Sequence, residues 1–282
     1  MPGTLFVVAT PIGNLEDISA RALRILREAT VIAAEDTRRT AQLLARYAIT
    51  TPTISLHEHN ENRKTAALVE RLQRGDNIAL VSDAGTPTVS DPGEQLIRSA
   101  IEAGIRVEPI PGPSAALAAL AASGLPTDTF TFLGFPPTRS SDRSRWFDAL
   151  RSAGRTVVFF EAPHRIRETL GDLIAFVGDL DVAIGRELTK VHEEMVRGPI
   201  STVLTSLGAP RGEYTVVIDA GQVTEIAVAA RPSDSELHHL FGELTNKGSQ
   251  TRRGAVSALA KRYKLPAREV YAAIERARAS VK

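Results

Sequence analysis

The 282-residue sequence contains no cysteine. That excludes disulfide frameworks, thiolate zinc sites, iron–sulfur clusters and thiol nucleophiles together, and it suits a reducing compartment. Long hydrophobic runs are missing too. The longest, Ala115 to Ala122, is mostly alanine and too short to span a bilayer. Met1-Pro2-Gly3-Thr4 is not a basic segment leading into an apolar one, so no secretory signal is expected and a cytoplasmic location is. Three nucleotide and hydrolase signatures are absent. No G-x-G-x-x-G follows the first strand-like run, which disfavours an ordinary dinucleotide fold, and no G-x4-G-K-[ST] or G-x-S-x-G occurs.

What is present is an ordinary globular composition, 43% hydrophobic and 24% charged. The length suggests about two domains and an appendage. The net charge of +1 hides an asymmetry. From Asn246 to Lys282, ten Lys/Arg face only Glu269 and Glu275, so this segment carries +8 and the remainder −7. A basic tail on an acidic body points to a polyanionic partner, or to a solvated helical surface.

Short β-rich runs end in Gly/Pro loops. Leu5–Ala9 leads into Thr10-Pro11-Ile12-Gly13-Asn14, Ile78–Val81 into Ser82–Pro87, and Val107–Ile110 into Pro111-Gly112-Pro113-Ser114. Thr131–Leu133 and Val157–Phe160 end similarly, and helical patterns separate most of the runs. This predicts βαβ units and a largely parallel sheet, with ligand-binding loops at the carboxyl edge. Ser19 and Asp36 mark helix starts, and Pro163 suits a first helical position. Val182–Ile184 and Tyr214–Ile218 read as strands of a second sheet. The expected domains are 1–118 and 119–228. A polar linker at Arg231–Ser235 then leads to a three-helix extension over 233–282, with Leu237, Leu240, Phe241, Val256, Leu259, Tyr263, Val270 and Ile274 as its core.

His57-Glu58-His59 is metal-like in type. In an extended segment, however, the two histidines share a face, Glu58 points away, and no third ligand is evident, so no metal is expected. The three loops after the first-sheet strands contain no lysine. Exposed backbone groups there suit a zwitterionic, adenosine-bearing ligand better than a polyphosphate, with Asp83 free to accept from a hydroxyl or amine.

These loops belong to a longer series. Thr10–Leu15 is followed by Ala34-Glu35-Asp36-Thr37-Arg38, Ser55-Leu56-His57-Glu58, Val81–Pro87 and Ser90-Asp91-Pro92-Gly93. Then come Pro111–Ala115, Phe159-Phe160-Glu161-Ala162-Pro163-His164-Arg165 and Arg186-Glu187-Leu188-Thr189-Lys190. Nearly end to end and in this order, the chain resembles the bacterial small-subunit ribosomal RNA cytidine 2′-O-methyltransferase family, within the tetrapyrrole methylase superfamily. Tetrapyrrole C-methyltransferases usually carry a more glycine-rich first loop and a Gly-Asp-Pro in the second. Here Thr10–Gly13 and Ser82–Gly85 follow the ribosomal RNA branch, and the basic extension resembles that branch's helix-turn-helix-like tail.

The resemblance implies a two-domain α/β (class III methyltransferase) fold with a small C-terminal helical domain. It implies S-adenosylmethionine bound in the cleft between the domains, and transfer to a cytidine ribose in the decoding region of small-subunit ribosomal RNA. It also implies a homodimer that works on the RNA or the assembled subunit, away from membranes. The expected cofactor contacts are Pro11, Gly13, Ser82, Asp83, Ala84, Gly85, Thr86, Pro87, Ser114 and Ala115.

The donor methyl is already activated, so such an enzyme mainly aligns its reactants and helps a weakly acidic hydroxyl lose a proton. Lys190 is the first choice for that task, either neutralised by desolvation or charged beside a developing alkoxide, with Glu187 and Glu161 as further candidates. A plain Lys190–Glu187 surface pair, and Glu161 as a cap on the following helix, are the structural alternatives. RNA contacts are expected at Arg38, His164, Arg165, Arg252, Arg253, Lys261 and Arg262, although Arg38 could instead pair with Asp36 or Glu35. Two other readings stand beside this one: a tetrapyrrole or other small-molecule methyltransferase, and a non-catalytic RNA-binding assembly factor.

Overall fold

The computed structural model describes residues 1–208, 211–222, 233–246, 251–263 and 266–280. The chain divides into two compact units, 1–222 and 223–282.

The first unit contains two sheets. One runs β3(Thr53–Ser55)-β2(Val31–Ala34)-β4(Ile78–Val81)-β1(Thr4–Val8)-β5(Arg106–Ile110), parallel throughout. Val-Ile-Ala-Ala and Ile-Ala-Leu-Val, in β2 and β4, are buried at every position. That is the pattern of strands covered on both faces. Alternate residues serve opposite cores. Ile32, Ala34, Ala79 and Val81 meet α1(Ala20–Glu28) and α2(Thr37–Arg46), while Val31, Ala33, Ile78 and Leu80 meet α3(Glu61–Gln73) and α4(Glu94–Glu102). The expected caps form: Ser19 accepts from Ala22 N at 3.1 Å, and Asp36 from Arg38 N at 2.8 Å. The chain crosses over so that the loops after β4, β1 and β5 are neighbours on one edge.

The second sheet runs β6(Phe130–Phe132)-β7(Thr156–Glu161)-β10(Tyr214–Asp219)-β8(Asp181–Arg186)-β9(Glu194–Pro199). Only the β6–β7 pairing is parallel. α5(Ala115–Ser123) lies on this sheet, with Ala116, Ala119 and Leu120 against Val158, Ala183 and Val217. A border at residue 118 would therefore cut a helix; the change of sheet falls in the Pro111–Ser114 turn before it. α6(Ser140–Ser152) contributes Trp146 and Phe147, and α7(Ile166–Val177) contributes Phe176, to an aromatic cluster with Phe159 of β7. Pro163 does not open α7. It lies in a turn in which Arg165 N and Ile166 N both donate to Ala162 O, at 3.0 and 3.1 Å, so the helix starts at Ile166. α8(Ile200–Ser206) completes the lobe.

The second unit consists of α9(Asp234–Asn246), α10(Arg252–Tyr263) and α11(Ala267–Ser280). Its apolar cluster contains all eight residues predicted from the sequence. Ser233 and Glu236 form a reciprocal capping box at the start of α9. Part of the expected linker, Arg231 and Pro232, lies outside the described residues, as do the side chains of Lys261 and Arg262.

Candidate functional site

The three neighbouring loops lock together before any ligand is considered. Thr10 N donates to Gly85 O at 2.8 Å and Gly85 N to Thr10 O at 3.0 Å, a two-bond clasp between the β1 and β4 loops. Gly85 holds φ +79°, a left-handed conformation that suits glycine. Thr86 Oγ1 donates to Pro113 O at 3.4 Å, which ties in the β5 loop. Ser114 then caps α5 through Leu117 N. The edge is thus preorganised by backbone bonds.

Two cavities flank the β1 loop. One is lined by Ala84, Gly85, Thr86, Ser114 and Ala115 from the first-sheet loops and α5, and by Phe135, Phe160, Leu188 and Thr215 from the second lobe. The other is lined by Pro11, Gly13, Ser82 and Asp83, with Arg39 and Thr40 of α2. Every expected cofactor residue except Pro87 borders one of them. Ile12, Ala84, Lys190 and Glu213 border both and form the wall between. Thr189 Oγ1 accepts from Asn14 N at 3.1 Å and so joins the lobes at this wall. A methyl on Gly13 would land on Lys190 Cγ, so only glycine allows the approach. Thr88, Ser90, Glu187 and Thr189 hold positive φ around these cavities, a strained backbone for non-glycine residues.

Lys190 is paired. Its Nζ donates to Glu187 Oε1 at 2.9 Å and to Glu213 Oε2 at 3.3 Å. Burial alone would lower its pKa, but the bond to Glu187 and the attraction of Glu213 outweigh that and raise it. Glu187 is correspondingly lowered, first by the bond from Lys190. Lys190 is therefore an ammonium at neutral pH, and desolvation does not make it a neutral amine. The Lys190–Glu187 pair expected as the structural alternative is real, yet it sits on the cavity wall rather than on a remote surface. Glu213, 23 residues from Lys190 in the sequence, carried no signal of its own.

A carboxylate cluster lies behind the β4 loop. Asp83 already has partners on both oxygens, Asp36 N at 2.9 Å and Arg39 at 3.3 Å, while its own N–H donates to Glu35 at 3.2 Å. Burial raises the Glu35 carboxyl. It also raises Asp91, to about 6, with the nearby Glu35 charge adding to the effect. Asp91 borders the first cavity. It stands in the Ser90–Gly93 motif, but nothing in that motif's spacing marked it as a site residue.

Two expected roles fail on burial. Glu161 is fully buried. It accepts from Ala162 N at 2.8 Å and Thr169 Oγ1 at 2.5 Å, so it braces the turn before α7 and borders neither cavity. The alternation of β7 turns Phe160 to the cavity and Glu161 away. Arg165 points inward as well, donating to Pro136 O at 2.7 Å and Pro137 O at 3.1 Å, which removes it from an RNA-facing surface. His164 between them is exposed. Arg38 pairs with Asp36 at 3.0 Å on an open surface, and that guanidinium holds Asp36 down at about 2.

The model of the tetrapyrrole (corrin/porphyrin) methylases matches residues 4–204. The chain is 47% identical to a ribosomal RNA small subunit methyltransferase I of Synechocystis, covering 95% of this chain and 96% of the relative. It is 40% identical to the Bacillus subtilis protein of the same name, over 95% and 93%. Among solved structures, a uroporphyrin-III C-methyltransferase from Thermus thermophilus complexed with S-adenyl homocysteine superposes with a TM-score of 0.55. That match has 18% identity and covers 79% of this chain and all of the other.

Proposed function

The chain belongs to the tetrapyrrole methylase family, and from that premise we propose that it is an S-adenosylmethionine-dependent ribosomal RNA methyltransferase. Its substrate is the ribose 2′-hydroxyl of a cytidine in small-subunit RNA, and it works as a cytoplasmic homodimer. The family relatives carry the RNA assignment. The chemistry of the cavity between the lobes carries the cofactor assignment.

That cavity fits the cofactor on its own residues. The first-sheet loops that line it offer backbone N–H and C=O groups and no lysine, and Lys190 on its wall is held by two glutamates, which suits an adenosine and an amino acid better than phosphates. Phe135, half exposed and 5.4 Å from the Phe160 ring, gives a flat apolar wall. Asp91 supplies the negative charge that a sulfonium favours. When bound, the cofactor supplies a methyl already activated for transfer.

The residues of the chain then have three tasks: to hold the ligands, to exclude water and to manage one proton. Lys190, fixed by two carboxylates, presents positive charge to the oxygen that loses its proton. Glu213, whose side chain is 78% exposed, is the carboxylate of that trio open to accept it. Glu187 is the more buried anchor.

Nucleoside mass spectrometry of ribosomal RNA from cells with and without the gene tests the reading. Loss of one 2′-O-methylcytidine, restored by the wild-type gene, supports it; an unchanged modification profile overturns it. Calorimetry with S-adenosylmethionine in the presence of a chelator tests the cofactor separately. Binding is expected to persist, and binding that needs a divalent cation would contradict it.

A further inference from the structure

The helical unit has a cavity of its own, of about 840 Å³, within the size range of small-ligand sites. Phe241 of α9 and Tyr271 and Ile274 of α11 line it, and Arg252, Arg253 and Arg278 stand on its rim. Tyr271 is 59% exposed. Arg252 and Arg253 are exposed and have no acidic partner among the described residues. They also occupy the first turn of α10, where the helix dipole disfavours cations and no acidic residue balances them. Glu275, the one acidic side chain among the described lining residues, faces Arg278 at 3.9 Å.

An exposed aromatic ring that lines a cavity together with two guanidiniums, those of Arg252 and Arg253, without acidic partners among the described residues is the combination that holds an unstacked nucleotide. The ring takes the base face and the arginines take the flanking phosphates. The +8 charge of residues 246–282 favours an anionic chain over a protein surface or a neutral ligand. We propose that this cavity docks a single-stranded nucleotide of RNA, with Tyr271 as the stacking platform and Arg252 and Arg253 as the phosphate contacts. The proposal rests on the RNA substrate inferred above and locates where the helical unit grips it.

The test uses the full-length chain and fluorescence anisotropy with a labelled decameric oligocytidylate. A duplex of equal length and heparin serve as competitors. Tyr271→Ala is expected to weaken single-strand binding about five-fold or more while duplex binding changes less than about two-fold. Tyr271→Phe should bind like the wild type, since the ring and not the hydroxyl stacks. The Arg252→Ala/Arg253→Ala variant should weaken both ligands and flatten the salt slope for the single strand by about 1.4, two phosphate contacts at ~0.7 each. Equal losses on single strand and duplex for Tyr271→Ala, no loss at all, or a Phe variant as weak as the Ala variant would overturn the proposal. So would heparin competing equally with every variant, which would mark a surface selective for charge alone. Helical circular dichroism of each variant guards against misfolding, and the Phe variant decides if the Ala variant is unfolded. The two readings fail separately. A wild-type chain that methylates ribosomal RNA but shows no Tyr271 dependence sinks only the docking site. One that binds the oligonucleotide through Tyr271 yet leaves ribosomal RNA unmodified sinks only the enzymatic reading.

Discussion

The two cavities of consequence solve opposite electrostatic problems. Between the lobes of the first unit, loops without lysine meet a carboxylate cluster, and the one lysine present is held by two glutamates. In the helical unit, Arg252 and Arg253 stand without acidic partners among the described residues, beside an exposed ring. The first environment suits a small cationic or zwitterionic ligand held mainly by backbone. The second suits a long polyanion held by side chains. One chain with a net charge of +1 thus contains an acidic site and a basic one, and the average conceals both.

Substituting Lys190 sharpens the first half of that contrast most strongly. Lys190→Ala is expected to lower single-turnover methyl transfer by about 10²–10³-fold, the usual loss for a preorganised charge, with S-adenosylmethionine affinity within about two-fold. Because Lys190 is held charged, Lys190→Arg should retain more activity than the alanine variant. An arginine variant as inactive as alanine would restore a neutral-amine role.

The next effect separates the two units. A chain ending after residue 222 should fold and bind S-adenosylmethionine, since it contains one whole compact unit. Its RNA affinity at low salt should fall by at least about ten-fold and lose most of its salt dependence. Undiminished RNA binding by filter assay would place the polyanion site in the α/β unit.

Gly13→Ala tests the shared wall. The added methyl meets the Lys190 stem, so turnover should fall by about ten-fold without a matching change in melting temperature, read by calorimetry on the same sample.

The smallest effect concerns Asp91. Its folded pKa of about 6 exceeds the unfolded value near 4. The folded state therefore holds the proton more tightly, and stability declines as pH rises from about 4 to 6, then levels off. Asp91→Asn should raise the melting temperature at pH 8 by about 1–3 °C and change it little at pH 4. S-adenosylmethionine affinity of the wild type should weaken below pH 6, while that of the asparagine variant stays flat across the range.

Much of this was legible in the sequence, for local reasons. Ser19 and Asp36 announced helices because a cap needs only its own first turn. The three clasped loops were visible because glycine and proline mark strand ends wherever the sheet places them. The eight apolar residues of the helical unit followed from helical spacing. What was missed depends on distance or on facing. β9 reads Glu-Met-Val-Arg-Gly-Pro, too polar to signal a strand, and it pairs only at the sheet edge. Glu213 reaches Lys190 across 23 residues. Glu161 had the chemistry of a catalyst, but a one-residue step along β7 turned it into the core.

The wall shared by Ile12, Ala84, Lys190 and Glu213 has a thermodynamic consequence. A ligand on one side that displaces Lys190 changes the affinity of a ligand on the other, and reciprocity requires the same factor in both directions. Two occupants that each shift Lys190 are linked in this way, and only those. A partition one side chain thick can in this way set the order in which a two-substrate reaction loads and empties.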